Sequence, residues 1–339
     1  MLKVILLSAS VLLACQSILA AELTPGDVAA NLKADKVWTM AGWSEAKDMA
    51  QTDLIKARQH IERIYDSAPE RLPGGESGGR MMLRYLNTKI PKNTDKSRSL
   101  EIKAVCVYPK SVSVDWTDKD GKKHLYAVSE KEMEVFPEAI KKQMDKWADV
   151  LFDISGGKLS LEYRVVRSEN VLDSLNKSTN DSYGFSSIEA TKLIRPKGDV
   201  MLYIFWIPIW DGHPPMGVAS FSDPVGKFTA SRINVYTNKD RLLMQGKYSA
   251  GWVNLDGGLP HESWHYLTHL ARDNGFKGFM PQDDPRTKEN LPARYDWETK
   301  LKPEIVAQGL PVPATAHEDQ YLNILTWNFI DKLRAKYNR

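Results

Sequence analysis

Cysteine is nearly absent from this chain: there are two in 339 residues, and one of them, Cys15, falls in the N-terminal leader. Two cysteines exclude a disulfide framework. An excess of one charge is missing as well. Lys and Arg number 46 against 43 Asp and Glu, a net +3 that falls to +2 without residues 1–21. So near-neutral a balance gives no electrostatic footprint for nucleic acid or for an anionic membrane surface. Long hydrophobic runs are missing too. Residues 4–14 form an apolar stretch of 11, and no later segment approaches the ~18 apolar residues that a membrane helix needs. No internal repeat and no low-complexity tract is present. What remains is ordinary globular composition, 42% hydrophobic and 26% charged. This excludes collagen, coiled coil and wholesale disorder, and fits one large or two ordinary domains.

The N-terminus carries an export signal. Met1-Leu2-Lys3 is a short positive region, and residues 4–14 are the apolar core of a secretory signal peptide spanning 1–21. Small residues at Ala20 and Ala21 place cleavage before Glu22, giving a periplasmic or secreted protein. The alternative is lipid anchoring at Cys15, because Leu12-Leu13-Ala14-Cys15 resembles a bacterial lipobox; Leu13 departs from that pattern. Either way Cys106 is left alone. Its alternating surroundings, Ala104-Val105-Cys106-Val107, make it a buried strand thiol rather than a nucleophile.

Residues 22–99 read as a helical accessory or pro-segment-like region, with Leu54, Ala57, Ile61 and Ile64 at helical spacing. Within it, residues 73–79 (PGGESGG) read as a loop or linker, and the Lys/Asn/Ser/Thr-rich residues 87–99 as mobile. From residue 100 the pattern predicts a strand over 102–108 and a hairpin of 112–116 with 124–128 across Asp120-Gly121. Ser129 and Glu132 form a candidate capping box, and Pro137 suits a first helical position. Ile140, Met144, Trp147, Ala148, Leu151 and Phe152 share one helical face that Gly156-Gly157 ends. Further strands are expected over 159–166, 199–207, 217–221 and 232–236, with a short helix near 186–194 and a longer one from near Pro260. In the final stretch Leu322, Leu325, Phe329 and Leu333 read as core positions. The expected fold class is α+β, a mixed sheet with helices against it over residues 100–339.

The chemistry concentrates at residues 259–269, where His261-Glu262-Ser263-Trp264-His265 is an H-E-x-x-H. Two histidines four apart on a helix lie about 6 Å apart along the axis and about 40° apart around it. Their imidazoles can meet one ion at about 2.0–2.1 Å. The Glu between them stands at the edge of the same face, placed to take a proton from water without being a ligand. On a helical wheel His261, His265, His269 and Glu262 fall within about 100°, and Leu259, Trp264, Tyr266, Leu267, Leu270 and Ala271 occupy the other side. Pro260 fits a helix start and Asn274-Gly275 a stop.

These five residues resemble the zincin metallopeptidase signature, and the order of elements from about 100 to 273 resembles the zincin catalytic domain. The resemblance implies a twisted sheet over a helix that carries the motif, with an edge strand bordering the cleft. Residues 217–221 are the candidate edge. It implies Zn²⁺ held by His261 and His265, with Glu262 as general base. The metzincin pattern would need Gly at 268 and His at 271, where this chain has Thr268 and Ala271. His269 lies about 12 Å along the helix from His261, too far to share its ion on an unbroken helix. A gluzincin-like arrangement takes a Glu from a later helix, for which Glu298 is the first candidate and Glu289 the second; Asp283, Asp284 and His317 stay open. Tyr295 and His213 are candidate oxyanion donors, and the aromatic residues 206–215 are a candidate subsite or a packed loop. The implied activity is an exported zinc endopeptidase acting on protein or peptide substrates. The alternatives are a binding protein on the same scaffold and a zinc hydrolase of non-peptide substrates.

Overall fold

A computed structural model describes residues 44–117, 121, 123–173, 176–177, 183–184, 202–209, 218–220, 229–236, 258–277 and 297–337. The leader, the expected helix near 186–194 and the turn residue Asp120 lie outside the described residues. The fold is α+β. Helices α1 (Ser44–Thr52), α2 (Leu54–Ser67) and α3 (Gly75–Lys89) come first. Strand β1 (Leu100–Tyr108) and the hairpin β2 (Ser111–Thr117) and β3 (Lys123–Val128) follow, then α4 (Phe136–Ile154) and β4 (Leu159–Arg167). The short β5 (Val171–Leu172) extends the hairpin sheet, and β6 (Asn176–Lys177) pairs with β7 (Tyr183–Gly184). Next come β8 (Leu202–Ile209), β9 (Val218–Ser220) and β10 (Thr229–Tyr236). Helices α5 (Gly258–Asp273), α6 (Lys302–Ala307), α7 (Ala316–Asp319) and α8 (Trp327–Tyr337) complete the described elements, with π-helical turns at Trp297–Leu301 and Gln320–Ile324.

The main sheet has the order β4-β1-β8-β10-β9. Its first four strands are parallel, and β9 runs antiparallel to β10 at one edge. β1 lies inside the sheet, which explains the run of buried residues from Ala104 to Tyr108. Cys106 is fully buried there, and burial pushes its thiol up to about 12, so it stays protonated and inert. α4 packs on β4 through the face carrying Ile140, Met144, Trp147 and Leu151. Two left-handed glycines, Gly156 and Gly157, end it.

Local devices explain several boundaries. In the hairpin Val112 pairs with Val128 and Trp116 with His124, and the loop contains Gly121 at φ 77°. Before α4 the capping box forms: the Ser129 backbone N–H donates to Glu132 Oε2 at 2.8 Å, and the Glu132 N–H donates to Ser129 Oγ at 3.3 Å. Pro137 sits one position later than expected, because α4 begins at Phe136. It remains in the first turn, where a missing N–H costs nothing.

Two expectations for the N-terminal region are corrected. Residues 73–79 are not a linker, because α3 begins at Gly75. A side chain at Gly79 would meet Leu72 Cδ1 at 2.6 Å and Tyr65 Cδ2 at 2.9 Å, so this glycine allows close packing rather than a break. Residues 87–99 are likewise anchored. Asn87 and its neighbours close α3, and Asn93 bonds the turn after α4, its N–H to Gly156 O at 3.2 Å and its Nδ2 to Gly157 O at 2.9 Å. A Cβ at Gly157 would stand 2.0 Å from Asn93 O, so the approach requires glycine.

The helices of residues 44–89 share one hydrophobic cluster with β1, α4, α5 and α8. Buried polar contacts tie them to the C-terminal helices. Arg84 makes a two-pronged pair with Asp319, Nε to Oδ1 at 2.8 Å and Nη2 to Oδ2 at 2.5 Å. Asp66 accepts from Thr326 Oγ1 at 2.6 Å and from Asn328 Nδ2 at 2.8 Å. Leu325, Phe329 and Leu333 are buried as expected, but the backbone breaks between the Gln320–Ile324 turn and α8.

Candidate functional site

α5 carries His261, Glu262, His265 and His269. It begins at Gly258, two residues before Pro260, which therefore lies in the first turn. Its end is set by Gly275 at φ 78° and by the Phe276 N–H donating to Ala271 O at 3.0 Å, a Schellman-type closure. The apolar side of the wheel is buried throughout: Leu259, Trp264, Tyr266, Leu267, Leu270 and Ala271 are each 9% exposed or less. Ser263 and Thr268 are buried with them, and the Thr268 hydroxyl donates to Trp264 O at 2.9 Å. By register, His261, Glu262, His265 and His269 share the remaining arc of the helix.

The helix packs against β10 and the edge strand β9. The edge strand, Val218–Ser220, lies within the residues 217–221 assigned to an edge from sequence. At the other side of α5 stands the Gln320–Ile324 turn. The hydroxyl of Tyr321 donates to Pro260 O at 2.8 Å, and its ring meets Trp264 edge to face at 5.1 Å. Burial raises this phenol well above its ordinary range, so it remains a donor. Tyr321 thus fixes the helix one residue before His261. Sequence spacing does not single it out, because its partner lies 61 positions away.

Glu298 opens the π-helical turn before α6 and is half exposed, with Lys302 Nζ donating to Oε2 at 3.0 Å. His317 is buried on α7. Trp206 is buried in β8, with the rest of residues 210–215, including His213, outside the described residues. Asp283, Asp284, Glu289 and Tyr295 also lie outside them. Among the described residues no group of three His, Cys, Asp or Glu side chains gathers; the side chains of His261, Glu262, His265 and His269 are not among those described. No helix among the described residues is long and apolar enough to cross a membrane. Comparison with family models, with curated proteins and with solved structures finds no match.

Proposed function

We propose that this chain is an exported zinc-dependent endopeptidase of zincin type. The observation that carries the reading is the register of α5: the two histidines and the glutamate of H-E-x-x-H share the arc left over by a fully buried apolar side, on a helix packed against the sheet edge. The donor set suits zinc. Two imidazoles four residues apart supply neutral nitrogen ligands, and the carboxylate beside them is one position out of line to join them. Bound zinc would act as a Lewis acid on the scissile carbonyl and lower the pKa of a water at the site.

The chain's own residues do the rest. His261 and His265 hold the ion, and a carboxylate beyond Gly275 completes the set, Glu298 first and Glu289 second. His269 lies too far along the helix to join His261 and is assigned to the surroundings of the site or to substrate. Glu262 takes a proton from the attacking water and delivers it to the leaving amine. The buried back of α5 and the Tyr321 contact keep these positions in place. The strand Val218–Ser220, at the sheet edge among the described residues, is where an extended peptide would pair.

The test is Glu262→Gln in the mature protein. It should keep one zinc per chain by elemental analysis and an unchanged melting temperature, while losing at least about 10²-fold in peptide hydrolysis. His261→Ala and His265→Ala should lose the metal itself. A wild-type protein without a divalent ion under zinc-replete conditions would refute the metal site. Zinc binding with unchanged turnover in Glu262→Gln would refute the role of the glutamate.

A further inference from the structure

A cavity of about 290 Å³ opens on the opposite side of the Gln320–Ile324 turn, between α2, the strap of residues 90–98, the turn after α4, and Trp327 at the start of α8. Four cationic side chains line it, Arg58, Lys92, Arg98 and Lys158, and no carboxylate among the described residues does. Two form the floor: Arg58 is 6% exposed and Lys158 is 3% exposed. Arg98 and Lys92 stand exposed at the rim. Trp327, Leu322 and Ile55 give the walls their apolar part.

The charges are crowded. The guanidinium carbons of Arg58 and Arg98 lie 5.8 Å and 5.5 Å from the centroid of the Trp327 ring, so one indole holds two like charges. Arg58 meets Glu62 beneath the floor, with Nε to Oε1 at 3.5 Å; among the described residues that Nε has no hydrogen-bond partner. Glu62 accepts instead from the Asn328 N–H at 3.1 Å. Lys158 donates to the carbonyl of Leu322 at 2.5 Å, and the buried carboxylate of Glu62 is close enough to attract it. Lys92 is shared with Asp153 on the outer surface, at 2.9 Å. Burial, with Arg58 and then Lys92 nearby, pushes the Lys158 ammonium down to about 7, against the carboxylate of Glu62. Burial also lowers the Arg58 guanidinium, with Arg98 adding to the shift against Glu62 and Asp331.

Cationic side chains from three separate segments converging on one recess over an indole are an arrangement that can receive an anion. We propose that this cavity binds a small oxyanion-bearing ligand, a phosphate or carboxylate group with at most a short apolar body, held between Arg58 and Lys158 at the floor and Arg98 at the rim. The volume stands at the lower limit of small-molecule sites, which excludes a large ligand. Paired guanidinium and ammonium donors match the oxygens of such groups. The site is distinct from the motif arc of α5 and does not rest on the peptidase reading.

The experiment is calorimetric titration of the mature chain with sodium phosphate and, separately, sodium propionate, at fixed ionic strength in a zwitterionic buffer. Saturable binding at one site per chain is expected for at least one of them. Arg98→Gln removes an exposed cation together with its contact to the Trp327 ring; it should weaken that binding at least about tenfold, the usual worth of a charge-assisted contact. Lys141→Gln, an exposed change on α4 outside the cavity, should leave it within twofold. Saturation by phosphate alone identifies a phosphoryl ligand, and by propionate alone a carboxylate. Saturation by neither, or equal binding by wild type and Arg98→Gln, overturns the proposal.

Discussion

The two polar regions of this molecule are put together in opposite ways. On α5 the chemistry lies within five consecutive residues, and the remainder of the helix is apolar and buried to hold them. In the helical layer, polar groups arrive from distant parts of the chain. Arg84 meets Asp319 across 235 positions, and Asp66 meets Thr326 across 260. By register the first arrangement leaves its polar positions on the arc outside the packed side. The second buries its charges completely, so each depends on a specific partner.

That contrast is broken most severely at the Arg84–Asp319 pair, whose side chains are 3% and 0% exposed. Asp319→Ala leaves a buried guanidinium without its carboxylate and removes the acceptor of Asn323 Nδ2, 3.0 Å away. The expected loss is about 3–5 kcal/mol in urea unfolding. Replacing both partners by apolar residues of similar size should recover much of it. If Asp319→Ala unfolds with the wild-type midpoint, the helical layer is not fixed by this pair.

Asp66 sharpens the comparison through pH. Desolvation raises its carboxyl from 3.8 to about 7, against the hydrogen bonds from Thr326 and Asn328 and the nearby charge of Lys332; Glu62 adds to the rise. The folded chain therefore keeps a proton that the unfolded chain releases between about pH 4 and pH 7. The stability linked to this group is fully present below its unfolded value and is lost as pH rises through the folded one. Oδ1 has no hydrogen-bond partner among the described residues, so it can carry that proton. Asp66→Asn keeps the shape and stays neutral. Above pH 7 the variant should be more stable than wild type by on the order of 2–4 kcal/mol, and the difference should shrink towards pH 4. Parallel curves of melting temperature against pH for the two proteins would show that Asp66 is ionised in the fold.

The same contrast explains what could be read from the sequence. Alternation located β1 and the hairpin within a residue or two, and helical spacing identified the buried faces of α4 and α5, because each signal lies within one element. The H-E-x-x-H was legible for the same reason. The glycines of residues 73–79 misled because a glycine that breaks a chain and one that admits a close neighbour look alike locally; only the contact of Gly79 with Leu72 and Tyr65 separates them. The polar strap of residues 87–99 was read as mobile because its anchors, Gly156 and Gly157, are more than 60 positions away. The cationic cavity left no local trace, since Arg58, Lys92, Arg98 and Lys158 have no shared period.

The smallest effect is expected where a device is wholly local. Ser129 is exposed and Glu132 is half-buried, and their mutual hydrogen bonds lie in the turn that leads into α4. Ser129→Ala removes the hydroxyl that accepts from the Glu132 N–H, while the backbone N–H of residue 129 can still donate to the Glu132 carboxylate. The helix itself remains fixed by Phe136, Ile140, Met144, Trp147 and Leu151, all 2% exposed or less. The cost should therefore be about 1 kcal/mol, the ordinary worth of an N-terminal cap. It should be additive with Asp319→Ala, because the two sites share no contact among those described. Chemical denaturation of the two single variants and the double variant measures this directly. A coupling above about 0.5 kcal/mol would show that the start of α4 and the helical layer form one cooperative unit, and would erase the distinction between local and long-range fixation drawn from their structures.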